Sequence, residues 1–416
     1  MTHRTTDYKR LFTPELVAVL FVWCMAFFAG EILTPILPLY MSSIGLDAHT
    51  IGLMFSVMMV GIAISELFWG WVVDRVDLKI AILMGTLMYG AIISVLTVTK
   101  TLPLFAVVIF LYGFSRSPIF IVGRWFMGVY APADMKASAM ALLSVSISIV
   151  QMLSGFASGY ITQARGFSFT FWLAAGIAVT AGIVILIAGR WLNFQNHKTT
   201  RDEPVSRAKL PISVSREVKL FTISLGFIGT LFFVGYGIFA TYLPLYASEV
   251  AQANTSQVGV LFGIRGLIST VAMLPVGRLA DRKGKWTLMP FGVGIVALAM
   301  ASIAFSRSYL MLVASVIIFS LGSAIYLPLG AALLSQSIPV FWTGTAMGIY
   351  GLMEDFGWMI GPAIGGMLWE GWSQQATFIF ASIMALVGIP VILLVRRRMS
   401  RASAVNIQQK LAMEQD

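Results

Sequence analysis

Five ionisable residues stand deep inside long apolar runs of this chain: Glu31, Arg116, Arg265 and the adjacent pair Glu354 and Asp355. At about 1.5 Å per helical residue each lies near the middle of its run. A charge at that depth is costly unless it is paired or hydrated, so such residues mark binding or coupling chemistry. Glu31, Pro35 and Pro38 are spaced four and three apart. They therefore share one helix face, where proline withdraws backbone donors and opens the helix. A carboxyl in that setting has two readings, a proton carrier or a fixed partner for an arginine. Arg116, within Ser115-Arg116-Ser117-Pro118, stays charged in any environment and can meet an anionic cargo or hold Glu31 permanently. Arg265 has the same choice, with Glu354 or Asp355 as partner. Glu66 and Arg124 lie nearer the ends of their runs; Glu66 joins Glu31 as a proton-coupling candidate, and Arg124 is expected to snorkel.

Other chemistries find no support in the residue pattern. His3, His49 and His197 all fall in polar segments and Cys24 is the single cysteine, so neither a metal site nor a nucleophilic cluster is expected. Asp281-Arg282-Lys283-Gly284-Lys285 lacks the upstream glycine and following Ser or Thr of a phosphate loop, so no nucleotide or other cofactor is expected. The chain reads as a non-enzyme.

The elements that must position these charges follow from composition. Of 416 residues, 58% are apolar and 11% charged, where a soluble domain is about one quarter charged. Apolar stretches of bilayer length number twelve: about 16–41, 50–73, 80–98, 102–129, 138–162, 169–191, 218–247, 256–279, 287–305, 309–336, 343–368 and 375–395. The net charge of +10 could signal nucleic acid, but twenty-two of the 28 Lys and Arg lie in the tails, linker and loops of one side, against Lys100, Arg165 and Arg307 on the other. That asymmetry puts both termini in the cytosol and excludes nucleic acid as the reason for the charge. The organisation expected is a cytosolic tail (1–15), a six-helix half (16–191), a cytosolic linker (192–217), a second six-helix half (218–395) and a cytosolic tail (396–416).

The halves repeat. Pro38-Leu39-Tyr40 recurs 206 residues later as Pro244-Leu245-Tyr246; Gly70, Asp74 and Arg75 recur at 207 as Gly277, Asp281 and Arg282; Ala139-Met140 recurs at 207 as Ala346-Met347. Parallel six-span repeats joined by a linker are a transporter architecture, with the cargo site between the halves near the midplane. Arg265 corresponds to Met58 in the first half, an asymmetry that suits specificity more than scaffolding.

On these residues the chain resembles the major facilitator superfamily over 11–396. The second-half loop Gly277-Arg278-Leu279-Ala280-Asp281-Arg282-Lys283-Gly284-Lys285 is close to that family's G-x-L-A-D-x-x-G-R-K pattern, and Gly70-Trp71-Val72-Val73-Asp74-Arg75 begins the first-half copy. The resemblance implies a conformational latch at Gly70, Asp74, Arg75, Gly277, Asp281 and Arg282. Gly30-Glu31 followed by Pro35-Ile36-Leu37-Pro38 is similar to the first span of proton-coupled drug and metabolite exporters. What this implies is an all-α, twelve-helix, monomeric plasma (inner) membrane protein. It would move a small organic molecule by alternating access, driven by protons, with Glu31 and Glu66 coupling and Arg116, Arg265, Glu354 and Asp355 binding. Two midplane arginines keep an organic-anion carrier open as an alternative, and a transport-incompetent sensor or assembly factor is a third reading.

Overall fold

The computed structural model describes residues 13–413 apart from 74, 77, 100, 131–134, 192–214, 340 and 341. Among them every element is a helix: α1 (Pro14–Glu31), α2 (Leu37–Ser43), α3 (Ala48–Val73), α4 (Leu78–Val98), α5 (Leu102–Tyr130), α6 (Lys136–Trp191), α7 (Arg216–Glu249), α8 (Thr255–Lys283), α9 (Lys285–Phe305), α10 (Tyr309–Ser337), α11 (Thr343–Gly371) and α12 (Gln374–Met413). Eight of the described helices are long and apolar enough to cross a membrane; α1 and α5 contribute shorter apolar segments. In hydrocarbon a helix satisfies its own backbone, which is why apolar runs of this length fold no other way.

Two breaks have clear causes. Pro35 lacks the N–H that would bond the Glu31 carbonyl, so α1 ends there; that carbonyl takes the Thr34 N–H at 3.2 Å instead, and helix resumes at Leu37 with Pro38 in its first turn. The 56 residues of α6 would measure about 84 Å if straight, more than twice a bilayer core. Gly166, at φ 84° and ψ 170°, divides them. The hydroxyls of Thr162 and Thr170 are 2.8 Å apart, whereas eight residues of straight helix would separate them by about 12 Å. The chain therefore reverses at Gly166, in a backbone conformation that side chains rarely adopt.

The chain forms two compact units, one of residues 1–206 with 243–270 and the other of 207–242 with 271–416. In the first, α6 and α8 meet backbone to backbone: a Cβ at Gly155 would stand 2.5 Å from the Gly263 nitrogen, and one at Gly159 would stand 2.7 Å from the Gly259 Cα. Small residues four apart on both helices permit that approach. In the second, Gly357 and Gly361 of α11 lie against the α7 backbone at Thr230 and Val234. An aromatic core fills the rest, with Phe239 stacked on Phe319 at 3.8 Å and Phe232 on Tyr326 at 3.9 Å.

Candidate functional site

Glu31 ends α1, 8% exposed, and forms an ion pair with Arg116 of α5. Arg116 is held by its neighbours. Pro118 cannot bond the Phe114 carbonyl, and the hydroxyl of Ser65 on α3 donates to that carbonyl instead. Ser117 donates to the Ile62 carbonyl at 3.1 Å. One turn before Arg116, Tyr112 stacks on Tyr89 of α4, and the Tyr89 hydroxyl donates to the Tyr112 hydroxyl at 3.2 Å. The Tyr89 hydroxyl rests against Gly30, where a Cβ would come within 2.5 Å of it. The ion pair thus sits on two buried phenols, and any side chain larger than hydrogen at residue 30 would push them away.

Beside the pair is a small cleft of about 10 Å³, lined by Glu31, Thr34 and Pro35 from the first-span break, Gln151, Ser154 and Gly155 of α6, and Phe262 and Arg265 of α8. Arg265 is 8% exposed, with its guanidinium 6.0 Å from the Phe262 ring centre. The Thr34 hydroxyl is buried and bonds no other described residue. That volume holds about one water molecule, so the cleft as it stands has no room for an organic cargo. One carboxyl and two guanidinium groups, those of Glu31, Arg116 and Arg265, thus stand at or beside the cleft.

Glu66 is exposed on α3. Glu354 and Asp355 are half-buried on α11 in the second unit, with Glu354 packed against Gly229 of α7. Asp74 and the linker residues 192–214 are outside the described residues, as is the side chain of Arg124. Arg75 donates to the Trp71 carbonyl at 3.1 Å and covers the Trp71 ring at 4.3 Å. Gly277, Asp281 and Arg282 are exposed, and no described atom lies within 4 Å of where a Cβ would stand on Gly70 or Gly277. Thr34, Tyr89, Tyr112, Gln151 and Phe262 are site residues that sequence reasoning missed.

Among the described residues no group of His, Cys, Asp or Glu could hold a metal ion. Membrane-length apolar helices that keep a buried ion pair beside a water-sized cleft fit a multi-pass membrane transporter. The chain belongs to the Major Facilitator Superfamily, whose model matches residues 19–339 and 225–412. It is 24% identical over 396 residues to multidrug resistance protein MdtG of Klebsiella pneumoniae, covering 92% of this chain and 94% of the relative. An MFS-type transporter of Methanocaldococcus jannaschii is 23% identical over 358 residues, 85% of this chain and 91% of that one. A POT family transporter solved in complex with 5-aminolevulinic acid shares the fold, with a TM-score of 0.76 at 15% identity over 92% of this chain and 95% of that chain.

Proposed function

We propose that this protein is a twelve-span secondary transporter that exports a small organic molecule by alternating access, driven by protons. The spans, linker and cytosolic tails would follow the boundaries set out from the sequence, and the protein would act as a monomer. The observation that carries the reading is the buried Glu31–Arg116 pair at a proline-broken helix end, beside Arg265. Protonating Glu31 would release its hold on Arg116 and leave two guanidinium groups at the cleft. Deprotonation would restore the pair. One carboxyl thereby links proton occupancy to the charge offered to a cargo, the state difference that coupling requires. Glu66 is the reserve proton acceptor, Glu354 and Asp355 are further cargo contacts, and Gly70, Asp74, Arg75, Gly277, Asp281 and Arg282 form the latch. The MdtG relative, by its name a multidrug resistance protein, supports efflux.

Two arginines at bilayer depth, Arg116 and Arg265, keep an organic-anion carrier as a second reading. Purified protein screened by thermal stabilisation against panels of organic cations, carboxylates and neutral drugs identifies a binder. Proteoliposomes given an imposed proton gradient then report accumulation of that binder. Wild type should concentrate it, and Glu31→Gln should abolish accumulation while leaving downhill exchange measurable. Accumulation by Glu31→Gln as strong as wild type refutes the role of Glu31, and absence of any transport returns the protein to the sensor reading. Replacing Arg116 or Arg265 by Gln should weaken an acidic binder but not its uncharged analogue.

A further inference from the structure

One end of the second unit gathers basic residues that are far apart in the sequence. α9 begins at Lys285, two residues after Lys283, and α12 leaves its apolar run at Arg396, Arg397 and Arg398, all three exposed. The two helices are antiparallel neighbours. A Cβ on Gly294 would stand 3.8 Å from the Ile389 Cδ1, one on Gly388 would stand 3.8 Å from the Val293 Cγ1, and the Ser382 hydroxyl donates to the Ala297 carbonyl at 2.8 Å. From the level of Val293 and Gly388, Lys285 lies about 12 Å back along α9 and Arg396 about 12 Å onward along α12, so the two basic ends stand level. Trp286 is half-buried there, its ring centre 6.1 Å from that of Phe221, which brings in Lys219 at the start of α7. Neither α9 nor α12 carries an Asp or Glu among the described residues. The acids nearest Lys285 and Lys219 in sequence are Asp281 and Glu217, both exposed.

Membrane topology asks for basic residues on one side of a bilayer, but it does not ask them to converge. Here they converge over an apolar flank of the same two helices, where Phe291 of α9 is 65% exposed and Leu394 of α12 is 59% exposed. A basic rim, a tryptophan at the boundary and an outward apolar surface next to it complement one kind of ligand, an amphiphile with an anionic head. We propose that the adjoining ends of α9 and α12 bind an anionic phospholipid, with its phosphate at Lys285, Arg397 and Arg398 and its acyl chains along Phe291 and Leu394. A guanidinium fork meets two phosphate oxygens at once, and an ammonium adds a point charge. The site needs helices in a membrane and nothing of the proton-coupled reading. Under the topology proposed above, the lipid belongs to the cytosolic leaflet.

Native mass spectrometry of the purified protein in a neutral detergent, titrated with phosphatidylglycerol, counts bound lipid directly. Wild type should prefer phosphatidylglycerol to phosphatidylcholine of the same chains by about tenfold or more. Each basic residue close to an anionic headgroup contributes about fivefold, so Arg397→Gln combined with Arg398→Gln should weaken phosphatidylglycerol by about tenfold or more. Arg307, just past the other end of α9, and Arg165 of the first unit are both exposed and supply the control. Arg165→Gln combined with Arg307→Gln removes the same charge and should bind as wild type does. Equal losses in the two double variants would mean attraction to net charge and overturn the site. A wild type without preference for phosphatidylglycerol overturns it, as does a preference that survives in the Arg397 and Arg398 variant. Glycerol phosphate that competes as well as the intact lipid would show an anion site without acyl chains, and overturns it too. If the Arg397 and Arg398 variant does not fold, Lys285→Gln must weaken phosphatidylglycerol by about fivefold while Arg307→Gln does not; binding unchanged in Lys285→Gln refutes the proposal.

Discussion

Replacing Gly259 with alanine puts a methyl carbon 2.5 Å from the Gly159 Cα, 2.6 Å from the Gly159 nitrogen and 2.7 Å from the Gly155 carbonyl oxygen. These are backbone atoms and cannot swing away, while ordinary carbon contacts begin near 3.4 Å. α6 and α8 must part by about 1 Å, and overpacking of this kind costs about 1–3 kcal/mol. Alanine also returns about 0.5–1 kcal/mol through its better helix propensity. The net expectation is a loss of about 1–2 kcal/mol. Gly176, exposed on the second arm of α6 with nothing within 4 Å of a Cβ, supplies the control. There only the propensity gain remains, so Gly176→Ala should stabilise by up to about 1 kcal/mol. Thermal unfolding of both variants and wild type in one detergent, followed by tryptophan fluorescence, should show midpoints moving in opposite directions. A Gly259→Ala protein as stable as Gly176→Ala would refute the backbone-to-backbone packing of α6 on α8.

Other perturbations separate the parts of the structure. Either Glu31→Gln or Arg116→Gln should cost about 3–5 kcal/mol by stranding a buried charge, while the double variant should regain most of the loss; additive losses in a thermal double-mutant cycle would deny the pair. Asp47 caps α3 by accepting the Thr50 N–H at 2.7 Å, and its carboxyl is held below the ordinary 3.8 mainly by hydrogen bonds from the Thr50 hydroxyl and N–H. Asp47→Ala should therefore cost about 1 kcal/mol or less at neutral pH. A depressed carboxyl contributes fully above its unfolded value and loses that contribution as pH falls through the lowered one, so the melting-temperature gap should close on acidification. Asp281→Asn should slow turnover in proteoliposomes and leave cargo affinity, read by thermal stabilisation, unchanged; an equal loss of both would remove it from the latch.

The charges of the cleft were legible in the sequence because an Arg or Glu inside an apolar run has few innocent explanations. The break of α1 was equally open to reading, since Pro35 must orphan the Glu31 carbonyl wherever the helix sits. Tyr89 and Tyr112 carried no such mark. A tyrosine in an apolar run reads as an interfacial or lipid-facing ring, and only the fold places one phenol over the other beside Arg116. Gly155 and Gly159 were visible as a small-residue pair, but their partners Gly259 and Gly263 lie about one hundred residues on, in a helix whose sequence does not name its neighbour. The helices are apolar on nearly every side, so the amphipathic stripe that reveals the buried face of a soluble helix is missing. Segments 138–162 and 169–191 were separable by pattern. That one residue would join them was not.

That joint has a consequence for how the protein is made. Gly166 turns the chain back with no intervening loop, and the Thr162 and Thr170 hydroxyls clip the two arms together at the bend. A nascent chain reaching this point has no slack with which to lodge the first arm and later search for a place for the second. The arms must enter the bilayer as a single helical hairpin. At about 5–20 residues per second the whole of α6 emerges within seconds, a narrow interval in which the insertion machinery has to hold both arms. Lengthening the joint by a few flexible residues would uncouple the two insertions, and the defect would appear as failed assembly during synthesis, before any transport could be measured.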